Sequence, residues 1–155
     1  MSAIENARST LATQIGKASS PTDWFEITQD RINLFADATL DHQWIHIDPE
    51  RAKSGPFGKA IAHGQLTMSI MSFLPGGEGV GLPRLDGMKM GINYGWNKVR
   101  FPTPVLVGAK VRTRGMLKEV SVKGNMIEVI NELTLEVQGS DKPACVAESV
   151  LRLVF

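Results

Sequence analysis

The strongest constraint on the fold is an alternation of side chains over residues 126–138. A period of two is typical of a β-strand that buries one face. The opposite face is mostly polar or charged, and the inward face would carry Ile127, Val129, Asn131, Leu133, Leu135 and Val137. Three further segments are rich in Val, Ile, Leu and Thr and are also predicted to be strands: 88–100, 105–118 and 143–155. Turn sequences at 101–104 and 123–125 predict that these strands run antiparallel.

One helix upstream of these strands is apolar on almost every side. Residues 64–74 contain Leu, Met, Ile and Phe, interrupted only by Gln65 and small hydroxyl side chains. A helix that is apolar all round is typically buried. The helix is predicted to stop at Pro75, and residues 75–87, with five glycines and two prolines, are predicted to form a loop. Together these elements predict an α+β fold, with a curved sheet around a buried helix.

The N-terminal part of the chain is predicted to be mainly helical. A helical spacing within residues 1–20 predicts an N-terminal extension, carried by Ile4, Ala7, Leu11 and Ile15. Residues 24–27 favour a short strand, and Thr28 is a good N-cap for a helix that runs to about Ala38. Asp48 and Pro49 predict a further short helix start. No repeat or second domain is apparent, so residues 1–155 are predicted to form one domain.

Composition excludes several classes of protein. The 17 basic and 16 acidic residues include no basic run, so nucleic acid is not an expected partner. No apolar stretch approaches the roughly 18 residues that a membrane span needs, and no secretory signal is recognisable. Cys145 is the one cysteine, so no disulfide can form within the chain. We therefore expect a soluble, cytoplasmic protein.

Polar residues cluster in the sequence DHQWIHID at 41–48, and all three histidines fall within 22 residues. Asp48 has a structural role as a helix cap. Asp41 and His46 have no such role and are expected on an irregular segment after the preceding helix. A carboxylate and an imidazole exchange protons efficiently near neutral pH, which makes this pair a candidate for acid–base catalysis.

Two other kinds of site fit less well. His42 and His46 are four residues apart, a spacing that suits a metal only on a helix, and no third ligand has suitable spacing. No metal is therefore expected. The possible nucleophiles are expected to be packing residues instead: Thr67, Ser69, Ser72 and Cys145.

The residues that follow His63 suggest where a carbonyl group could bind. Gly64 opens the apolar helix, where unpaired N–H groups and the positive end of the dipole point outward. Such a helix end can polarise a carbonyl oxygen. An acid–base pair beside a polarised carbonyl suits chemistry at the carbon atoms α and β to that carbonyl.

Three segments together resemble the MaoC-like, (R)-specific enoyl-CoA hydratase family. They are FADATLDHQWIHID at 35–48, FGKAIAHGQL at 57–66 and VRFPTPVLVG at 99–108. The resemblance covers about residues 24–155, and the sequences DHQWIH at 41–46 and INYGWNKVRF at 92–101 are together most similar to the nodulation-protein-N-like branch. It implies a hot-dog fold, in which a five-stranded antiparallel sheet wraps around a central helix, and a homodimer. It implies no cofactor.

The resemblance also implies roles for individual residues. Asp41 and His46 would add water across a trans-2-enoyl thioester of CoA or a carrier protein, or remove it, and the Gly64 N–H would bind the thioester oxygen. Trp44, His63 and Asn93 are expected to line the substrate pocket.

The chain also departs from the family pattern. The residues in question are Leu40, Gln43 and Trp44, where the family usually has Gly, Asn and Pro. Two alternatives remain open. One is a non-catalytic protein that binds acyl thioesters. The other is a hot-dog thioesterase, which would need a carboxylate on the central helix, and residues 64–74 contain none.

Overall fold

The structure is a computed structural model that describes residues 2–77, 80 and 82–155. Within these ranges the sheet is antiparallel and has five strands in the order β1-β3-β4-β5-β2. The strands are β1 (Phe25–Glu26), β2 (Met90–Arg100), β3 (Lys110–Lys123), β4 (Met126–Val137) and β5 (Cys145–Val154). The predicted α+β architecture is confirmed, and three of the predicted strands agree with β2, β4 and β5 to within two residues.

The predicted strand at 105–118 is wrong by five residues at each end, because β3 spans Lys110–Lys123. The backbone of residues 105–109 bonds to other partners. Val107 donates its N–H to the Ala60 carbonyl at 2.9 Å, and Gly108 donates to the Ile27 carbonyl at 2.8 Å. The apolar residues before β3 therefore join the sheet to the N-terminal half of the chain instead of extending the strand.

The central helix α5 spans Gly64–Ile70, so the prediction of a helix to residue 74 was too long. It was also wrong in one further respect, because the helix is buried on one side only. Leu66 and Met71 pack into the main core, whereas Phe73, just beyond the helix, is 75% exposed. Within the helix, Gln65 and Ser69 are exposed and lie four residues apart on one face.

A second core lies at the other end of the inward face of the sheet. The predicted N-terminal helix, α1 (Ala3–Ala12), begins with a capping box between Ser2 and Glu5. Its Leu11 is fully buried in a cluster with Leu117, Ile127, Val129 and Leu153. Helix α1 therefore covers the part of the sheet that the short helix α5 does not reach.

A polar pair separates the two cores. Asn131 on β4 lies opposite Ser149 on β5, and each is 2% exposed. The Asn131 Oδ1 and the Ser149 Oγ are buried without a hydrogen-bond partner in the part of the chain that the structure describes. The predicted inward face of β4 is therefore confirmed, and its one polar member is buried in mid-sheet.

Three helices lead from β1 to α5. Helix α2 spans Gln29–Thr39 and begins, as predicted, at the cap Thr28, whose hydroxyl accepts the Arg31 N–H at 3.3 Å. Helix α4 spans Pro49–Ala52 and is capped, as predicted, by the Asp48 carboxylate. Between them the sequence predicted irregular structure, but Trp44–Ile47 form a one-turn helix, α3. None of the described helices has the length and apolar character that crossing a membrane requires.

Candidate active site

Helix α2 ends in a way that turns the chain sharply before Asp41. The C-cap Leu40 adopts the left-handed conformation, with φ 65° and ψ 11°. This conformation is unfavourable for a residue with a Cβ, and its occurrence beside candidate site residues is typical of functional loops. The Asp41 carboxylate is exposed, and among the described residues it accepts only a long contact of 3.4 Å from the Gln43 N–H. Asp41 is therefore open to solvent at the edge of a buried site.

His46 lies in α3 and is only 6% exposed. Its Nδ1–H donates to the Ile61 carbonyl oxygen at 2.7 Å, because a carbonyl can only accept. This bond leaves Nε2 as the nitrogen with a free lone pair. Burial lowers the pKa of His46, with a smaller contribution from His63, against the raising effects of Ile61 and Asp41. His46 is therefore suited to accept a proton at neutral pH.

His63 is the residue before α5 and is 3% exposed. Its Nε2–H donates to the Asp41 carbonyl oxygen at 2.9 Å. Its ring stacks on the His46 ring, with centroids 3.8 Å apart and planes 24° apart. The His63 Nδ1 is buried and has no hydrogen-bond partner in the described ranges. The sequence pattern did not predict this bond, because a backbone carbonyl leaves no signature in the sequence.

These three residues meet at one point. One carboxylate oxygen of Asp41 and one ring nitrogen from each of His46 and His63 lie within 4.8 Å of one another. Groups at this separation can contact the same water molecule, since each hydrogen bond spans about 2.6–3.2 Å. The predicted Asp41–His46 pair is thus brought together, and His63 joins it.

The same three groups are a conceivable metal site. They do not include the His42–His46 pair considered from the sequence, because His63 and Asp41 lie beside His46 instead. However, ring lone pairs lie in the ring planes, so two nearly parallel stacked rings direct them side by side instead of toward one ion. His42 is elsewhere, where its Nε2 contacts the exposed Asp37 carboxylate at 2.9 Å, and this contact raises its pKa. The absence of a metal stays a prediction.

Gly64 is the first residue of α5, and its N–H has no acceptor within the helix. Its φ is not positive, so an alanine would not be strained by backbone conformation. The space is restricted instead by Phe101, whose Cγ would lie 3.1 Å from a Cβ on residue 64. No pattern in the sequence connects Phe101 with Gly64.

The structure does not bring Trp44 and Asn93 into this cluster. The Trp44 ring packs against Gly55, and the Arg51 Cζ lies 4.4 Å from its centre. Asn93 lines a separate cavity of about 210 Å³ with Ser72, Phe73, Val80, Gly91, Leu133 and Leu151. Their predicted roles in a substrate pocket stay predictions.

The potential nucleophiles do not form a second site. Cys145 is fully buried, and burial raises the pKa of its thiol to about 11. Thr67 and Ser69 in α5 donate their hydroxyls to the Gly64 and Gln65 carbonyls at 2.6 and 2.7 Å. These side chains satisfy local hydrogen bonds and pack, as the sequence predicted.

Comparison with known proteins places the chain in a family. The model of the MaoC like domain matches residues 10–138. The chain is 50% identical over 152 residues to 3-hydroxyacyl-thioester dehydratase Z of Mycobacterium tuberculosis, covering 93% of each protein. It is 40% identical over 147 residues to Nodulation protein N of Rhizobium leguminosarum, covering 94% of this chain and 89% of the relative.

The fold comparison agrees with these relatives. The solved structure of a monoamine oxidase regulatory protein from Archaeoglobus superimposes with a TM-score of 0.74 at 24% identity, covering 90% of each chain. This similarity confirms the predicted hot-dog fold. The chain belongs to the MaoC-like dehydratase family and is a hydro-lyase, an enzyme that adds water to its substrate or removes it.

Proposed function

We propose that this protein hydrates trans-2-enoyl thioesters to (R)-3-hydroxyacyl thioesters, or catalyses the reverse dehydration. The observation that carries the proposal is a distance: an Asp41 carboxylate oxygen and a ring nitrogen of His46 lie within 4.8 Å of each other. One water molecule can contact both groups at this separation. The name of the mycobacterial relative, a 3-hydroxyacyl-thioester dehydratase, supports the same reaction.

The proposed reaction uses the free Nε2 of His46 as the base. As the oxygen of water bonds to C3 of the enoyl group, Nε2 accepts one proton from that water. The resulting imidazolium then gives this proton to C2, so that H and OH are added and His46 returns to its neutral form. The negative charge of Asp41 holds the water and stabilises the imidazolium between the two transfers.

The thioester carbonyl is proposed to bind at Gly64. Negative charge develops on this oxygen before C2 is protonated, and a fixed N–H donor stabilises that charge. The N–H of Gly64 is free of helix hydrogen bonds, and Gly64 directly follows His63, which contacts both members of the pair. The donor and the acid–base pair are therefore close in the fold.

We propose an acyl thioester of CoA or of a carrier protein as substrate, with no cofactor and with neither nucleic acid nor membrane as a partner. The proposal also includes one domain over residues 1–155 and a cytoplasmic location. A non-catalytic role in thioester binding is disfavoured because Asp41 and His46 lie close enough to contact one water molecule. The described helix α5 contains no carboxylate, which disfavours the thioesterase alternative.

We further propose a homodimer formed through β2. This strand is an edge of the sheet and is eleven residues long. It carries three exposed apolar side chains, Met90, Ile92 and Tyr94, which are 53%, 42% and 58% exposed. Long, apolar edge strands are usually covered in native proteins, and a second copy would cover this edge by pairing β2 with itself.

The test is a direct assay of the purified protein. Hydration of crotonyl-CoA and of longer enoyl-CoAs removes the conjugated double bond, which is followed by its absorbance. Chiral analysis of the product should give the (R)-3-hydroxyacyl thioester. Tight thioester binding without turnover would support the binding alternative, and release of free CoA would support the thioesterase.

A further inference from the structure

His63 contacts both members of the candidate pair by different means. Its Nε2–H reaches across 22 residues of sequence to the Asp41 carbonyl oxygen at 2.9 Å. This bond fixes the backbone of the residue whose side chain is exposed and poorly held. The 3.4 Å contact from the Gln43 N–H is the one hydrogen bond to the Asp41 carboxylate among the described residues.

The second contact is with the ring of His46. The two imidazoles stack at 3.8 Å, and Phe35 contacts the ring of His63 at a centroid distance of 4.9 Å. His46 is held along its ring edge by Ile61 at 2.7 Å and on a ring face by His63. Its orientation toward Asp41 thus depends on both neighbours.

The hydrogen bonds of the two histidines fix opposite donor atoms. His46 donates from Nδ1 and His63 donates from Nε2, because each donates to a backbone carbonyl. His63 is not needed as a helix cap, since its side chain makes no capping hydrogen bond to α5. Its Nδ1 is buried and has no hydrogen-bond partner in the part of the chain that the structure describes, which is an unfavourable arrangement for a residue with only a packing role.

We propose that His63 is a positioning residue for hydration, and that the hydrogen bond from its Nε2–H to the Asp41 carbonyl is its main contribution. The inference rests on the proposed function of Asp41 and His46. His63 holds the Asp41 backbone at the distance that lets one water contact both catalytic groups. It directly precedes Gly64 and so also ties the pair to the proposed carbonyl donor.

The test compares two substitutions that each keep one part of the histidine. His63→Gln places an amide N–H near the position of Nε2 and loses the aromatic ring. His63→Phe keeps a ring that can stack on His46 and loses the donor. A misplacement of about 1 Å in an active site can lower the rate about a hundredfold, so we expect His63→Phe to lower kcat by about tenfold to a hundredfold.

The Gln variant is expected to retain at least about tenfold more kcat than the Phe variant, with KM similar in both. Melting curves should show both variants folded. His42→Gln is the matched control, because this histidine is exposed and bonded to Asp37, and its kcat should be that of the wild type. The proposal is overturned if the Phe variant is the more active, or if kcat falls only as melting temperature falls.

A second measurement does not depend on activity. Hydrogen exchange of the backbone around residues 41–43 should become faster in His63→Phe and remain near the wild-type rate in His63→Gln. Equal exchange in both variants would overturn the positioning role even in an active enzyme. If the wild type has no hydratase activity, the proposed function fails, and the exchange experiment still decides whether His63 holds this loop.

Discussion

The ring of Phe101 lies against Gly64 so closely that a Cβ on residue 64 would stand 3.1 Å from the Phe101 Cγ. Such a contact is tighter than most real Cβ contacts, so an alanine fits only if the ring moves. This relationship separates two effects of substitution at residue 64. Alanine adds crowding and keeps the N–H, whereas proline removes the N–H itself.

We therefore expect different outcomes for Gly64→Ala and Gly64→Pro. The alanine variant should lose activity and regain most of it when Phe101→Leu makes space. The proline variant should lose about 10²–10³ in kcat, the usual cost of one such donor, and Phe101→Leu should not restore it. Proline is tolerated in a first helical turn. Circular dichroism checks that the Gly64→Pro protein is folded. A folded Gly64→Pro enzyme with undiminished kcat would exclude this donor.

The candidate pair can be tested with substitutions that keep its other hydrogen bonds. Asp41→Asn preserves the shape of the side chain, and His46→Asn preserves a donor near Nδ1 for the Ile61 carbonyl. Each should lower kcat by about 10²–10⁴, because His46→Asn removes the base that transfers the proton, and Asp41→Asn removes the charge that holds the water and stabilises the imidazolium. Asp37→Asn changes an exposed residue nearby and is the control, so its kcat should equal that of the wild type. Turnover near the wild-type rate in either test variant would refute the assignment.

The pH dependence of kcat/KM should report His46. Burial lowers its pKa below the ordinary value of 6.5, so its base form persists below that pH. We expect the acid limb of the profile to have its midpoint below about 6.5 and to be absent from the residual activity of His46→Asn. An acid limb above that pH would require another group as the base.

The same shift has a consequence for stability. Because the folded protein binds the His46 proton more weakly than the unfolded chain, the contribution of His46 to stability is present above pH 6.5 and is lost as the pH falls through the lowered pKa. The contribution of His42 to stability changes with pH in the opposite direction, because the contact with Asp37 raises the pKa of His42. Urea unfolding at pH 7.5 and 5.5 should show a smaller loss of stability in His46→Asn than in the wild type.

The dimer prediction is tested on the β2 edge. Ile92 is exposed on β2, so Ile92→Lys would place a charge on the strand that a second copy would cover and should leave it as a free edge. Light scattering should give twice the chain mass of 16.9 kDa for the wild type and the single mass for this variant. Leu34→Lys is the control, because Leu34 is 69% exposed and lies on α2, not on the strand proposed to pair. A monomeric wild-type protein would contradict the prediction.

The polar pair between the two cores gives a prediction of increased stability. Ser149 buries a hydroxyl without a partner among the described residues, and such a group costs about 1–3 kcal/mol. Ser149→Ala should therefore raise the free energy of unfolding by about 1 kcal/mol. Ser121→Ala, at a half-buried position on β3, should change it by less than about 0.5 kcal/mol. A destabilised Ser149→Ala protein would mean that the hydroxyl has a partner.

Much of the fold follows from local patterns in the sequence. The alternation over β4 identified the buried face because only one side chain in two can face the core. Thr28 and Asp48 identified the starts of α2 and α4, since capping uses the side chain at that position. The error in β3 has a different origin. Residues 105–109 are as apolar as a strand, but their partners are Ala60 and Ile27, which are distant in sequence.

The site was predictable only in part. The spacing of Asp41 and His46 and the position of Gly64 were visible in the sequence, and the structure brings the first two together. The role of Ile61 was not visible, because it acts through its backbone carbonyl. The contact of Phe101 with Gly64 joins residues 37 positions apart and depends on how β2 ends. Such relationships depend on tertiary structure and not on side-chain pattern.

The second core also has a consequence for the order in which the chain is synthesised. Helix α1 precedes every strand of the sheet in the chain, yet Leu11 packs with Leu117 on β3, Ile127 on β4 and Leu153 on β5. Its apolar face therefore has no partner on the sheet until β3 has been made, and the cluster is complete only once β5 has followed. Until then the nascent chain depends on the polar face of α1, or on a chaperone, to avoid aggregation.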